Sequence, residues 1–330
     1  MWRRPVPPPG TKKFDLLPYV FCAMCKGRNR AQRQSLGLGK IEDRSAAFFP
    51  KKCRCSMNYK HVFHAGNHTE VFKHSVLCLL LAQLRKKPKP FAVLDTHAGA
   101  GVYDLHSAEA KKTGEAQAGI ARVIHKDVPT ASPFFELVRR LNPEGLHLYP
   151  GSPAIVQSFL RNDDRLIACE LRKDDAASLR ASFKNDGRIS VHCRDGYEAI
   201  GAFVPLPTRR GLVFIDPPFE QADEFQRLAD GLNRGINKWP TGIFVAWYPV
   251  KDRSGARELH ARYRCNNPPT LCCEFLREAV NDTTLAGSAV LICNPPWQFE
   301  DRLKTLSREL MSAFEARSGR YSLDWWVKRE

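Results

Sequence analysis

Phe91-Ala-Val-Leu-Asp95-Thr-His-Ala-Gly-Ala-Gly101 is the stretch that decides the fold. Residues 91–94 form a short continuous apolar run, the pattern of a strand buried on both faces. The run ends on a carboxylate, and Gly99 and Gly101 then allow the backbone to approach a ligand closely. A glycine turn after a strand is ordinary geometry by itself, so the weight falls on what repeats downstream. The run 166–169 ends at Glu170 and precedes an amphipathic stretch over 173–183. The run 189–193 ends at Asp195-Gly196 and precedes a helical stretch over 197–203. The run 212–215 ends at Asp216-Pro-Pro-Phe219 and precedes another over 224–232. Residues 243–248, 271–276 and 289–293 supply three later strands. This alternation predicts a doubly wound, mostly parallel α/β sheet whose site lies at the carboxyl ends of its strands.

Upstream, Asn67 is a good helix N-cap and Glu70 stands three residues on, a capping-box arrangement. Val71, Val76, Leu77, Leu80, Leu81 and Leu84 supply an apolar face, and Lys86-Lys87-Pro88 ends the helix. Residues 103–148 read as helices with polar loops, including 115–125 and 131–141. The first 56 residues differ from the rest: 13 cations stand against three acids, so +10 of the chain's +16 lies there. That segment reads as a basic, poorly ordered N-terminal extension, with the folded unit over 57–330. It holds Cys22-x-x-Cys25 and Cys53-x-Cys55, for which a zinc knuckle is the lesser reading, since the second spacing is short. Eleven cysteines, an odd number in a long chain, argue for reduced thiols rather than a disulfide framework. No apolar run reaches the roughly 18–20 residues of a membrane span, and residues 1–10 lack the apolar core of a secretory signal.

Four strand ends carry Asp95, Glu170, Asp195 and Asp216, and in an open parallel sheet they share one edge. Glu170 is placed to accept from ribose hydroxyls, and Asp195-Gly196 to meet an adenine ring. A nucleoside-bearing cofactor fits this series. Asp216-Pro217-Pro218-Phe219 adds the chemistry of an exocyclic aromatic amine, whose lone pair is delocalised into its ring. A carboxylate accepting one N–H and a proline carbonyl accepting the other draw that lone pair back onto nitrogen. Phe219 can stack on a base lifted from its helix. Asn294-Pro-Pro-Trp297 looks similar but carries no charge and follows a late strand, so a structural or rim role is expected. His61, His64 and His68, spaced by three and four, read as groove or backbone-satisfied imidazoles rather than as a metal site.

Residues 57–330 resemble the bacterial 23S ribosomal RNA adenine-N6 methyltransferase family known as RlmJ. The resemblance rests on Tyr59-Lys-His-Val-Phe-His-Ala-Gly-Asn-His68, Lys73-His74, Leu94-Asp-Thr-His-Ala-Gly-Ala-Gly101, Tyr149-Pro-Gly-Ser-Pro153, Arg210-Gly211 to Phe219, and Trp247-Tyr-Pro249. It implies a Rossmann-like S-adenosylmethionine-dependent methyltransferase core with a small helical subdomain inserted at about 103–148. Carried over position by position, His74, His97, Ser152, Glu170, Asp195, Gly196 and Asp216 match cofactor-binding places. Asp216, with Pro217 and Phe219, matches the catalytic motif, and Tyr59 a position associated with the RNA; Lys73 is a further candidate. The implied reaction is N6 methylation of an adenine in 23S ribosomal RNA, by a cytoplasmic enzyme expected to be a monomer that uses no metal. Two departures stand out: the family motif usually ends in tyrosine where this chain has Phe219, and the 56-residue extension is foreign to the family. The alternatives are a DNA adenine-N6 methyltransferase and a non-catalytic RNA-binding or ribosome-assembly protein on the same fold.

Overall fold

The computed structural model describes residues 60–251, 253–263, 268–280 and 285–328. The expectations for residues 1–56, for a folded start at Met57 and for Tyr59 lie outside the described residues.

Among the described residues ten strands form: β1 (Ala92–Asp95), β2 (Val102–Asp104), β3 (Leu148–Pro150), β4 (Arg165–Glu170), β5 (Ile189–Cys193), β6 (Gly211–Ile215), β7 (Ile243–Val250), β8 (Thr270–Leu276), β9 (Gly287–Cys293) and β10 (Arg320–Val327). Eight of them make one sheet in the order β10-β8-β9-β7-β6-β1-β4-β5. From β5 to β7 every pairing is parallel, and β9, β8 and β10 then continue the sheet antiparallel. The chain builds outward from β1 through β4 to β5, then returns to lay β6 and β7 on the other flank. The reversal opens a crevice at the carboxyl ends of β1 and its neighbours. Asp95 is in register with Ala168 of β4 and Phe214 of β6, so the acidic strand ends gather there.

Helices cover both faces. They are α1 (His68–Arg85), α2 (Ala108–Thr113), α3 (Glu115–Ala118), α4 (Ile120–Val123), α5 (Ser132–Leu141), α6 (Ser152–Phe159), α7 (Lys173–Phe183), α8 (Gly196–Phe203), α9 (Glu224–Lys238), α10 (Ser254–Arg262) and α11 (Phe299–Ala313). Successive strand side chains point to opposite faces, so one strand feeds two cores. Leu212 and Phe214 join Phe72, Phe134 and Leu310 on one side. Val213 and Ile215 join Ile200, Leu232 and Phe244 on the other. This is why the central strands read as unbroken apolar runs.

α1 departs from its expected single apolar face. Every residue from Thr69 to Leu81 is buried, because α5, α6, α11 and β9 close around it. Its cap forms as expected, the Asn67 side chain accepting the Glu70 N–H at 2.9 Å. The Glu70 carboxylate, however, does not reach back to the cap; it turns inward.

Between β2 and β3, which pair as a two-stranded antiparallel ladder, the chain forms the short helices α2 to α5. The helix expected over 115–125 breaks at Gly119. A Cβ there would sit 1.9 Å from the Gly66 carbonyl, and that carbonyl accepts the Ile120 N–H at 2.8 Å. This close approach staples the insert to the turn preceding α1. Glu115 adds to it, accepting from Asn67 Nδ2 at 2.8 Å and contacting His64 Nδ1 at 2.9 Å. The six described cysteines are free thiols, and no described helix is long and apolar enough to cross a membrane.

Candidate active site

The β1 turn is held by hydrogen bonds to its neighbours. Thr96 donates both its N–H and its hydroxyl to the Phe214 carbonyl at 3.0 Å, and Ala98 N–H reaches the Cys169 carbonyl at 2.9 Å. Glu170, at the end of β4, accepts from Gly99 N–H at 2.8 Å with one oxygen and from Arg172 N–H at 2.7 Å with the other. Burial nonetheless raises its proton affinity above the ordinary carboxylate value. Asp195 caps α8, taking the N–H groups of Tyr197 and Glu198 at 2.9 and 3.0 Å on one oxygen. Its other oxygen accepts from Arg227 at 3.0 Å. Gly196 lies against the β1 turn, where a Cβ would come within 2.3 Å of the Thr96 carbonyl and 2.7 Å of the His97 ring.

The Thr96 hydroxyl also lies 2.8 Å from His97 Nδ1, which fixes the orientation of the ring. Burial lowers the His97 pKa to about 4, so the ring is neutral. Asp95 is the exception in this hydrogen-bonded frame. It is fully buried, and neither carboxylate oxygen is within good hydrogen-bond geometry among the described residues, although the Ser152 side chain and the His97 backbone N–H face it and partly stabilise its charge. Burial first, then the charge of Asp216, push its pKa up to about 7.

Asp216 leaves β6 facing α1, where a largely buried charged cluster forms. Lys73 Nζ donates to Asp216 Oδ2 at 2.5 Å and to Glu70 Oε1, with Lys73 only 2% exposed. His61 Nε2 donates to the other Glu70 oxygen at 2.9 Å. Burial alone would strip the proton from Lys73, but Asp216 and Glu70 outweigh it and hold the ammonium above its ordinary value. Glu70 is driven well below the carboxylate range: burial works against ionisation, and His61, Lys73 and His74 overcome it. For Asp216 burial prevails over Lys73, and its proton affinity rises. Beside them His74, its pKa lowered to about 3 by burial, meets the Tyr149 hydroxyl at 2.9 Å. Ser152 begins α6 and is 5% exposed.

Pro217 is buried behind Asp216. Phe219 follows with φ 50°, a left-handed conformation costing a non-glycine residue about 1–2 kcal/mol. Its ring stands 4.8 Å from Phe225 and 6.0 Å, edge-on, from Trp247, so packing holds the strained turn. Trp247 also lies 4.8 Å beneath the Lys73 ammonium. Backbone strain of this kind concentrates where a side chain must be aimed.

A family model described as ribosomal RNA large subunit methyltransferase D, RlmJ, matches residues 88–327. The Escherichia coli protein named ribosomal RNA large subunit methyltransferase J is 37% identical over 277 residues, covering 82% of this chain and 99% of that protein. Its Haemophilus influenzae namesake is 34% identical, covering 82% and 98%. The crystal structure of a Legionella pneumophila protein aligns with a TM-score of 0.72 at 29% identity, across 79% of this chain and 98% of that one. The chain belongs to the RlmJ family. It is a Rossmann-like methyltransferase, and the family and fold imply a methyl donor.

Within that family frame, the fold brings His74, His97, Ser152, Glu170, Asp195, Gly196 and Asp216 to the edge where β1, β4, β5 and β6 end. Asn294-Pro-Pro-Trp297 is elsewhere. β9 runs antiparallel to β7, so its carboxyl end lies at the opposite edge of the sheet. There the Asn294 amide donates to the carbonyls of Pro240 and Gly242 at 2.7 and 2.8 Å, a clamp on the start of β7 with no rim role. The three N-terminal imidazoles diverge: His61 serves Glu70, His64 contacts Glu115, and burial lowers His68 to about 4. The site residue missed by sequence reasoning is Glu70, masked by its reading as a capping residue.

Proposed function

We propose that this chain methylates the N6 amine of an adenine in 23S, large-subunit, ribosomal RNA with S-adenosylmethionine as donor. The observation that carries the reading is the Asp216-Pro-Pro-Phe219 turn set beside the buried, poorly satisfied carboxylate of Asp95. A buried acceptor short of donors is costly, and an amine-bearing ligand reduces the cost. S-adenosylmethionine carries such an amine at its amino-acid end, and its nucleoside suits the acceptors at Glu170 and Asp195. His74, His97, Ser152, Glu170, Asp195, Gly196 and Asp216 would hold it. When bound, that cofactor supplies a methyl group on a sulfonium, a good leaving group.

Asp216 and the Pro217 carbonyl accept the two amine protons and return the lone pair to nitrogen, while Phe219 stacks on the ring. Lys73 neutralises and orients Asp216; held protonated by two carboxylates, it is no base in this arrangement. Asp216, with its raised proton affinity, is suited to receive the proton that nitrogen sheds once transfer is complete. Catalysis then comes from alignment and from preset hydrogen bonds. Asp216→Ala is expected to abolish transfer to a 23S ribosomal RNA fragment while calorimetry still detects cofactor binding. Normal turnover by that variant sinks the assignment, and faster methylation of duplex DNA than of RNA redirects it to a DNA substrate.

A further inference from the structure

Arg227 belongs to α9 and stands outside the residues that would touch either substrate. Its guanidinium nevertheless reaches both halves of the crevice. Nη2 donates to Asp195 Oδ2 at 3.0 Å, on the side that would receive the cofactor's nucleoside. Nη1 donates to Gln221 Oε1 at 3.3 Å, in the loop that continues from Phe219. The plane lies 4.7 Å over the Tyr197 ring. Tyr197 in turn donates its hydroxyl to Glu224 at 2.8 Å, and its edge faces His97 at 5.4 Å. Glu224 also lies 3.6 Å from Arg227 Nη1.

We infer that Arg227 is a positioning residue that couples cofactor binding to substrate-base binding. The inference rests on the reading of Asp195 as a nucleoside-side residue. One rigid fork spans two elements: the α8 cap on the cofactor side and the 216–223 loop on the substrate side. A ligand that fixes Asp195 therefore fixes Arg227, and through Gln221 it fixes the turn that carries Phe219. The reverse path acts on the cofactor, because a coupling between two ligands is reciprocal. Lysine cannot replace this function, since a single ammonium lacks two donors held in one plane.

The test is isothermal calorimetry of S-adenosylmethionine on the full chain, with and without a saturating 23S ribosomal RNA fragment. The ratio of the two dissociation constants gives the coupling factor. In the wild type that ratio should exceed about fivefold, the lower end of the usual range of such couplings. Arg227→Ala should weaken cofactor binding by about tenfold and bring the coupling factor close to one. Arg227→Lys should recover much of the affinity but not the coupling. Gln221→Ala, an exposed loop change that leaves Asp195 paired, should leave cofactor affinity intact and abolish the coupling. Circular dichroism melts of each variant separate these effects from misfolding. Wild-type coupling in both Arg227→Ala and Gln221→Ala overturns the inference. Asp195→Asn separates the two claims. If it binds cofactor as wild type does, the reading of the pocket fails. If it loses affinity while Arg227→Ala does not, the pocket reading stands and the role of Arg227 fails.

Discussion

Replacing Asp95 by asparagine should stabilise the protein, and more so at high pH. Asp95 is fully buried with neither oxygen in good hydrogen-bond geometry among the described residues, and burial, against the opposing pull of Ser152 and the His97 N–H, raises its pKa from 3.8 to about 7. A carboxyl whose folded value lies above its unfolded value binds more protons when folded. Its folded state is therefore secure below the unfolded value and loses stability as pH climbs toward the folded one. About three units of displacement, at about 1.4 kcal/mol each, make a loss of roughly 4 kcal/mol by pH 8. At pH 5 only about 1.5 kcal/mol of it has been incurred. An amide does not ionise, so the substitution removes this pH-dependent part, while its own burial cost is equal at both pH values. The informative quantity is the difference: Asp95→Asn should gain about 2–3 kcal/mol more over wild type at pH 8 than at pH 5. For a folded body of this size, that is roughly 5–10 °C in the melting-temperature shift. Thermal unfolding of both proteins at the two pH values, without cofactor, measures it. Equal shifts at pH 5 and pH 8 would refute the reasoning. The same variant should bind S-adenosylmethionine more weakly, a gain in stability set against a loss of function.

Lys73→Met keeps the buried stem but leaves Glu70 and Asp216 without their shared cation, and should cost about 3–5 kcal/mol in denaturant unfolding. The loss should be larger at pH 8 than at pH 5, because protonation of Asp216 relieves it in acid. Phe219→Ala should lower kcat/KM on RNA by roughly 10–100-fold through lost stacking while cofactor affinity holds, and Phe219→Tyr should keep activity. Gly196→Ala places a methyl group against the Thr96 carbonyl and the His97 ring, and calorimetry should show cofactor affinity falling by about tenfold.

The sequence announces the central sheet because parallel strands buried on both faces read as unbroken apolar runs, and the runs of β1, β4, β5 and β6 each lead into an acid. What it hides is short or depends on distance. β2 and β3 have three residues each, too few for a period to show. The pairing of Lys73 with Asp216 spans 143 positions, and only the strand order that sets β6 beside β1 brings them together. Arg227 looks from the sequence like half of an i,i+3 surface pair with Glu224; its contact with Asp195 exists only once α8 and α9 have packed.

Glu70 is the instructive case, because a usable signal was present. Its spacing from Asn67 fits a capping box, and the cap does form, yet the same spacing also places Glu70 one turn before Lys73 and His74. A helix with a solvent face would gather its charges there. Around α1 the apolar residues Val71, Phe72, Val76, Leu77 and Leu79 leave no such face, and a helix apolar all round is a buried one. Charges on a buried helix require partners. Glu70 and Lys73 satisfy part of that requirement between themselves, and the negative charge still needed beside Lys73 had to come from another element. Of the four acids at the strand ends, Asp216 is the one the fold presents to it.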